Sequence, residues 1–161
     1  MRRTYNSVVQ DNSYYGSAAG RLLALDVGSR TIGLAISDPL GITAQGLPTL
    51  RRTSKRADLQ SLADLIRRHG ISEIVVGYPL RMSGEAGSQA QKVEALAEEL
   101  RRRFHLPVHL WDERLTTAEA QRVLRETDMS IRRRGQVVDR LAAVLILQAF
   151  LQNRSSARTR S

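Results

Sequence analysis

Residues 22–38, LLALDVGSRTIGLAISD, carry two apolar runs on either side of a short turn built from Gly28, Ser29 and Arg30. Apolar, β-branched residues flanking such a turn are the pattern of a β-hairpin. Over residues 22–27 strand alternation turns Leu23 and Leu25 one way and Leu22, Ala24 and Asp26 the other. Both faces are apolar, which belongs to a covered central strand. Asp26 then stands where an unpaired carboxylate costs several kcal/mol, so it needs a cation, a metal or several donors beside it.

Outward from the hairpin, residues 41–50 read as a third, more polar strand, and 51–56 as a basic turn. From Asp58 the spacing becomes helical, with Leu59, Leu62, Ala63 and Ile66 on one face and Gly70 closing the helix. The run ISEIVVGYP is a buried strand ending at Gly77 and Pro79, and RMSGEAGS is a loop. Val93, Leu96, Ala97, Leu100 and Phe104 align on a second amphipathic helix, after which Pro107 opens a strand, VHLWDE. Thr116 and Glu119 have capping-box spacing for a third helix. DMSIRRRGQ reads as a basic loop, and residues 137–152 as the last helix. Three strands followed by alternating helices and strands predict an α/β fold, a mixed five-stranded sheet with helices on both faces.

The expected organisation is a disordered N-terminal extension over 1–20, one domain over 21–152 and a basic flexible tail over 153–161. A chain of 161 residues with 42% hydrophobic content suits one domain. No apolar run approaches the length of a bilayer span and no signal-peptide pattern opens the chain, so a cytoplasmic protein is expected. Without cysteine there is neither a disulfide framework nor a thiolate metal site. The net charge is +9, and arginine greatly outnumbers lysine. That balance points to a polyanionic partner, nucleic acid above all, with solvated helix faces as the plainer explanation.

Two further carboxylates are out of place. Asp139 shares a helical face with Ala142, Ala143 and Ile146, although an acid in a first turn also suits the helix dipole. Glu113 closes a predicted parallel strand, where α/β sheets gather ligand-binding groups, although a strand-end acid paired to Arg114 would look the same. Asp26, Glu113 and Asp139 come from separate elements predicted to meet at one end of the sheet, with no matching set of buried lysines. Clustered carboxylates are the ligands that Mg²⁺ and Mn²⁺ prefer, and in a basic protein they suggest phosphodiester hydrolysis.

The stretches LALDVGSRTIGLAISD, EIVVGYPLRMSGEAG, WDERLTTAEA and VVDRLAAVLILQAFL, in this order, resemble the YqgF family of bacteria, assigned as Holliday junction resolvases and as pre-16S rRNA nucleases. The resemblance covers about residues 21–152. It implies an RNase H-like fold with strand order 3-2-1-4-5 and the second strand antiparallel. It also implies that Asp26, Glu113 and Asp139 are the catalytic, metal-binding acids for Mg²⁺ or Mn²⁺. The implied function is a metal-dependent nuclease that processes the end of precursor 16S rRNA in ribosome biogenesis, with ribosomal particles as partners and a monomer or homodimer as the working unit. Family members often carry a lysine where this chain has Gln136, and residues 1–20 lie outside the family core.

Other readings stay open beside this one. The same acids could serve a resolvase-type endonuclease on branched DNA, and the fold could serve a non-catalytic RNA-binding or transcription factor. DVGSRTIGLA also resembles the phosphate hairpin of sugar kinases and actin, but those proteins need a second such domain, for which this chain has no room. For nucleic-acid contacts the expected residues are Arg30 at the hairpin tip, Arg81 in the glycine-bearing loop, Arg114 beside the glutamate, and Arg132, Arg133 and Arg134 before the last helix. Gly28 and Gly33 either admit a phosphate or simply make the turn. His69, His105 and His109 lack metal spacing.

Overall fold

The computed structural model describes residues 20–81, 83–114 and 131–160, and for 131–139 the backbone alone. Its strands are β1 (Arg21–Val27), β2 (Thr31–Ser37), β3 (Ala44–Arg51), β4 (Ile71–Tyr78) and β5 (Val108–Asp112). The helices are α1 (Lys55–His69), α2 (Ser88–Phe104) and α3 (Ile131–Thr159). They build one five-stranded sheet in the order β3-β2-β1-β4-β5. Only β2 runs against its neighbours; β4 and β5 follow β1 in parallel. This is the order and direction that the resemblance implies.

The hairpin forms as read, with Gly28 N–H donating to the Thr31 carbonyl at 2.9 Å across the exposed Ser29 and Arg30. Alternation along β1 then assigns the two cores. Leu23 and Leu25 join Leu62, Val76, Val93 and Leu100 under α1 and α2, whereas Leu22 and Ala24 join Val75, Ala143, Ile146 and Leu147 under α3. Because both faces of β1 are covered, Leu22, Leu23 and Leu25 are almost wholly withdrawn from water, each contributing roughly 1.5–3 kcal/mol.

Boundaries move for local reasons. β3 starts at Ala44 rather than Gly41 because the Asp38 carboxylate accepts the N–H groups of Leu40, Ile42 and Thr43 at 3.2, 2.7 and 2.7 Å, fixing a loop first. α1 ends at Gly70, in the left-handed region at φ 62, as its glycine suggests. α3 differs most from expectation. It is already helical at Ile131, inside the stretch read as a basic loop, because arginine is a good helix former and one glycine does not stop a helix. It runs on to Thr159 through the stretch read as a tail, where no Gly or Pro interrupts it and Arg154 is clamped to Glu73 of β4 at 2.7 and 2.9 Å. The helix expected at residues 115–127 and most of the N-terminal extension lie outside the described residues.

Candidate active site

The C-terminal ends of β1, β4 and β5 lie side by side. Asp26 is the penultimate residue of β1, opposite Gly33 of β2, and alternation turns it to the α3 face with Leu22 and Ala24. Glu113 follows β5 directly, and its N–H donates to the Tyr78 carbonyl at 3.1 Å, which ties it to the end of β4. Its side chain lies over Gly77. A Cβ at Gly77 would stand 2.9 Å from Glu113 Cδ and 2.8 Å from Ile146 Cδ1, so the missing side chain is what leaves room for the carboxyl group beside α3.

There the two acids meet. Burial first, then a hydrogen bond with Asp26 and the charges of Asp26 and Asp112, push Glu113 up to about 8. At neutral pH Glu113 thus keeps a proton and donates it to the Asp26 carboxylate, as like charges in contact require. Asp112 behaves in the opposite way. Arg114 donates to it from Nε at 2.9 and 3.0 Å, from Nη2 at 2.6 Å and from its backbone N–H at 3.0 Å. Those donors, led by the guanidinium, hold Asp112 below the ordinary carboxylate range. The strand-end ion pair with Arg114 therefore belongs to Asp112, the residue before Glu113.

Arg114 also reaches the glycine-bearing loop, since a Cβ at Gly84 would sit 3.6 Å from its Nη1. That loop closes on itself through Arg81 N–H to Glu85 O at 3.0 Å and Gly84 N–H to Arg81 O at 2.8 Å. Gly84 takes φ 89, a conformation few other residues hold. The Arg81 side chain folds along Gly87 at the start of α2. The Tyr78 hydroxyl binds Glu94 of α2, closing the other side of the loop.

Of the expected site residues, the structure brings together Asp26 and Glu113 and sets Arg30, Arg81 and Arg114 at the same strand ends. Asp139 falls in α3, one turn before Ala143, and Arg132, Arg133 and Arg134 fall in the same helix; their side chains lie outside the described residues. Among the described residues no group of three or more His, Cys, Asp or Glu side chains comes together to hold a metal. His109 instead bonds Glu73 at 2.7 Å. Sequence reading placed Gly77 at a strand end and missed its role beside Glu113; β4 in fact continues to Tyr78, which puts the glycine inside the strand.

The model of the family described as "RuvX: Holliday junction resolvase" matches residues 20–153. A protein of Koribacter versatilis (strain Ellin345) is 62% identical over 135 residues, 84% of this chain and 88% of that protein. One of Moorella thermoacetica is 56% identical over 81% of this chain and 94% of that protein, and both are named "Putative pre-16S rRNA nuclease". The structure of T. thermophilus RuvC with a Holliday junction substrate aligns over 85% of this chain and 97% of that one, with TM-score 0.51 at 14% identity. Fowlpox virus resolvase with its junction DNA aligns over 83% and 98%, with TM-score 0.51 at 10% identity. At such identities these two structures speak to the shared fold alone. No helix among the described residues is long and apolar enough to cross a membrane.

Proposed function

The chain belongs to the RuvX family, and from that membership we propose that it is a divalent-metal nuclease that trims the end of precursor 16S rRNA in the bacterial cytoplasm. The observation that carries the nuclease reading is the contact between the Asp26 and Glu113 carboxyl groups at strand ends on either side of β4, with the Glu113 proton held to about 8. The choice of substrate rests on relatives up to 62% identical that carry the pre-16S rRNA name.

The donor set fits a hard cation, because two carboxyl groups that repel one another as anions share a proton that Mg²⁺ or Mn²⁺ can replace. Asp26 and Glu113 would hold the ion, with Asp139 of α3 as a third donor. Such an ion supplies a lowered water pKa and charge stabilisation at the leaving oxygen. The chain's own contribution is placement. Asp26 is fixed by a central strand, and Glu113 is fixed by its backbone bond to Tyr78 and the cradle at Gly77. Arg30, Arg81 and Arg114 set cations at the ends of β1, β4 and β5, where they would draw in and orient the phosphate backbone; Arg132, Arg133 and Arg134 are assigned further backbone contacts.

The test is cleavage of an end-labelled 16S rRNA precursor, with a four-way DNA junction in parallel, in Mn²⁺ or Mg²⁺ against chelator. Wild type should cut the RNA only with metal, while Asp26→Asn and Asp139→Asn bind it without cutting. Cutting of the junction alone would move the substrate to DNA. An Asp26→Asn protein that folds and cuts at the wild-type rate would remove Asp26 from the mechanism, and a wild type that binds the RNA but cuts neither substrate would leave an RNA-binding factor.

A further inference from the structure

On the opposite face of the hairpin from Asp26, a cavity of about 440 Å³ opens between the hairpin tip and the first turns of α1 and α2. Val27 and Leu96 form its apolar wall, and Ser29, Arg52, Lys55 and Lys92 supply polar groups. Val27 alternates with Asp26 along β1, so cavity and acids are separated by the sheet and meet only around the tip that carries Arg30.

The charge inside is one-sided. The single acid of the lining, Asp58, is buried and already satisfied: it accepts from Arg52 Nε at 3.3 Å and from Thr53 N–H at 3.0 Å. Arg52 also donates to the Gly28 carbonyl at 2.8 Å, and Gln89 donates to the Val27 carbonyl at 3.4 Å. The acceptors on this wall are thereby occupied from within. Lys55 has a partial partner in Glu99 at 3.7 Å, and Lys92 has no carboxylate partner among the described residues. Ammonium groups thus remain as the donors open to a ligand.

Composition adds an independent observation. Of 25 basic residues in the chain, Lys55 and Lys92 are the only lysines, and both line this one cavity. Arginine serves every other cationic position, and both ammonium groups stand at this cavity. A guanidinium is a wide planar fork suited to open surfaces and bidentate pairs, whereas an ammonium on a slim stem reaches a phosphate inside a confined site. The volume is that of a small-ligand site and exceeds what a bare phosphate needs.

We propose that this cavity is a second nucleotide-phosphate site, in which Lys55 and Lys92 hold the phosphate and Val27 and Leu96 face the nucleoside. Its most natural occupant is a nucleotide of the same strand that is cut, passing over Arg30 from one face of the sheet to the other. To that extent it rests on the nuclease reading. A free mononucleotide offers the same chemistry.

Full-length wild type and a Lys55→Gln/Lys92→Gln variant are titrated with a fluorescent RNA hairpin and a four-way DNA junction across a salt series in chelator, and separately with 5′-AMP by calorimetry. A control, Arg67→Gln/Arg68→Gln, removes as much charge from the far end of α1; thermal melting checks that all three proteins fold. If the strand occupies the cavity, the lysine variant binds both nucleic acids more weakly and its plot of log affinity against log salt flattens by about 1, while the control keeps the wild-type slope. Heat from 5′-AMP that the lysine variant lacks would assign the cavity to a free mononucleotide. An unchanged slope without 5′-AMP heat, or a control that flattens equally, would overturn the site. Because binding is read without metal, a protein that never cuts still passes or fails this test, and a cutting enzyme can fail it.

Discussion

Two carboxyl groups held in contact compete for one proton, and in this chain Glu113 is raised to about 8, most of all by its burial and next by Asp26. Its position depends on an atom that is absent. With a Cβ at Gly77, Glu113 Cδ would have to retreat from 2.9 Å, and Ile146 Cδ1 from 2.8 Å. Gly77→Ala should therefore destabilise the fold by about 1–3 kcal/mol through overpacking. It should also move the carboxyl group by enough to lower metal-dependent cleavage about 100-fold, as a misplacement near 1 Å does. Adding Ile146→Val relieves one of the two clashes. Melting should then recover in part while cleavage and calorimetric Mn²⁺ affinity stay low; recovery of all three would mean that packing, and not Glu113, was disturbed. Asp26 was legible in the sequence because a charge inside an apolar alternation has no ordinary explanation. Gly77 was not, because its role exists only once β5 has delivered Glu113 to the end of β4.

Among the elements, α3 departs furthest from its reading, and the physical cause is a long-range contact. Periodicity ends the helix where apolar residues stop, near Gln152, yet Arg154 lies over the Phe150 ring at 4.7 Å and grips both oxygens of Glu73. His109 of β5 bonds the same carboxylate, so one acid at the start of β4 ties together a helix and two strands. Neither a local propensity nor a period encodes a pair 81 residues apart. The hairpin, α1, α2 and the strand order were legible because their signals are local: alternation, amphipathic spacing, and glycine at a turn or cap. Arg154, the largest cause, together with His109 holds Glu73 below its usual 4.5, so the carboxylate is favoured more in the folded than in the unfolded chain. That stability is present in full above about 4.5 and is lost as the pH falls through the lowered value. Arg154→Ala should cost about 2 kcal/mol at neutral pH and progressively less in acid. Urea unfolding at pH 7 and pH 3 measures both; a difference between wild type and variant that does not shrink at pH 3 would show that Arg154 acts by packing on Phe150 and not through Glu73.

Across the whole molecule a net charge of +9 surrounds a small acidic notch, and the two act on a nucleic acid in opposite senses. Without metal the notch carries about one negative charge at neutral pH, since Glu113 is protonated up to about 8 and leaves the charge to Asp26. Replacing Asp26 alone removes only part of that charge. In Asp26→Asn the hydrogen bond and charge of Asp26 are gone while burial and Asp112 still raise Glu113, so its proton is held less tightly and part of the deleted charge returns. Only Asp26→Asn/Glu113→Gln leaves the notch neutral. In chelator, at low salt, the double variant should bind an RNA hairpin about two- to fivefold more tightly than wild type, the size expected for one charge near a phosphate in a watery cleft. Asp26→Asn alone should gain less. No cation is lost in either variant, so the dependence of affinity on salt should keep its slope, which separates this effect from loss of a phosphate contact. Fluorescence anisotropy across a salt series reads both quantities. Equal tightening by the single and double variants would mean that burial and Asp112 alone keep the Glu113 proton in place, without Asp26.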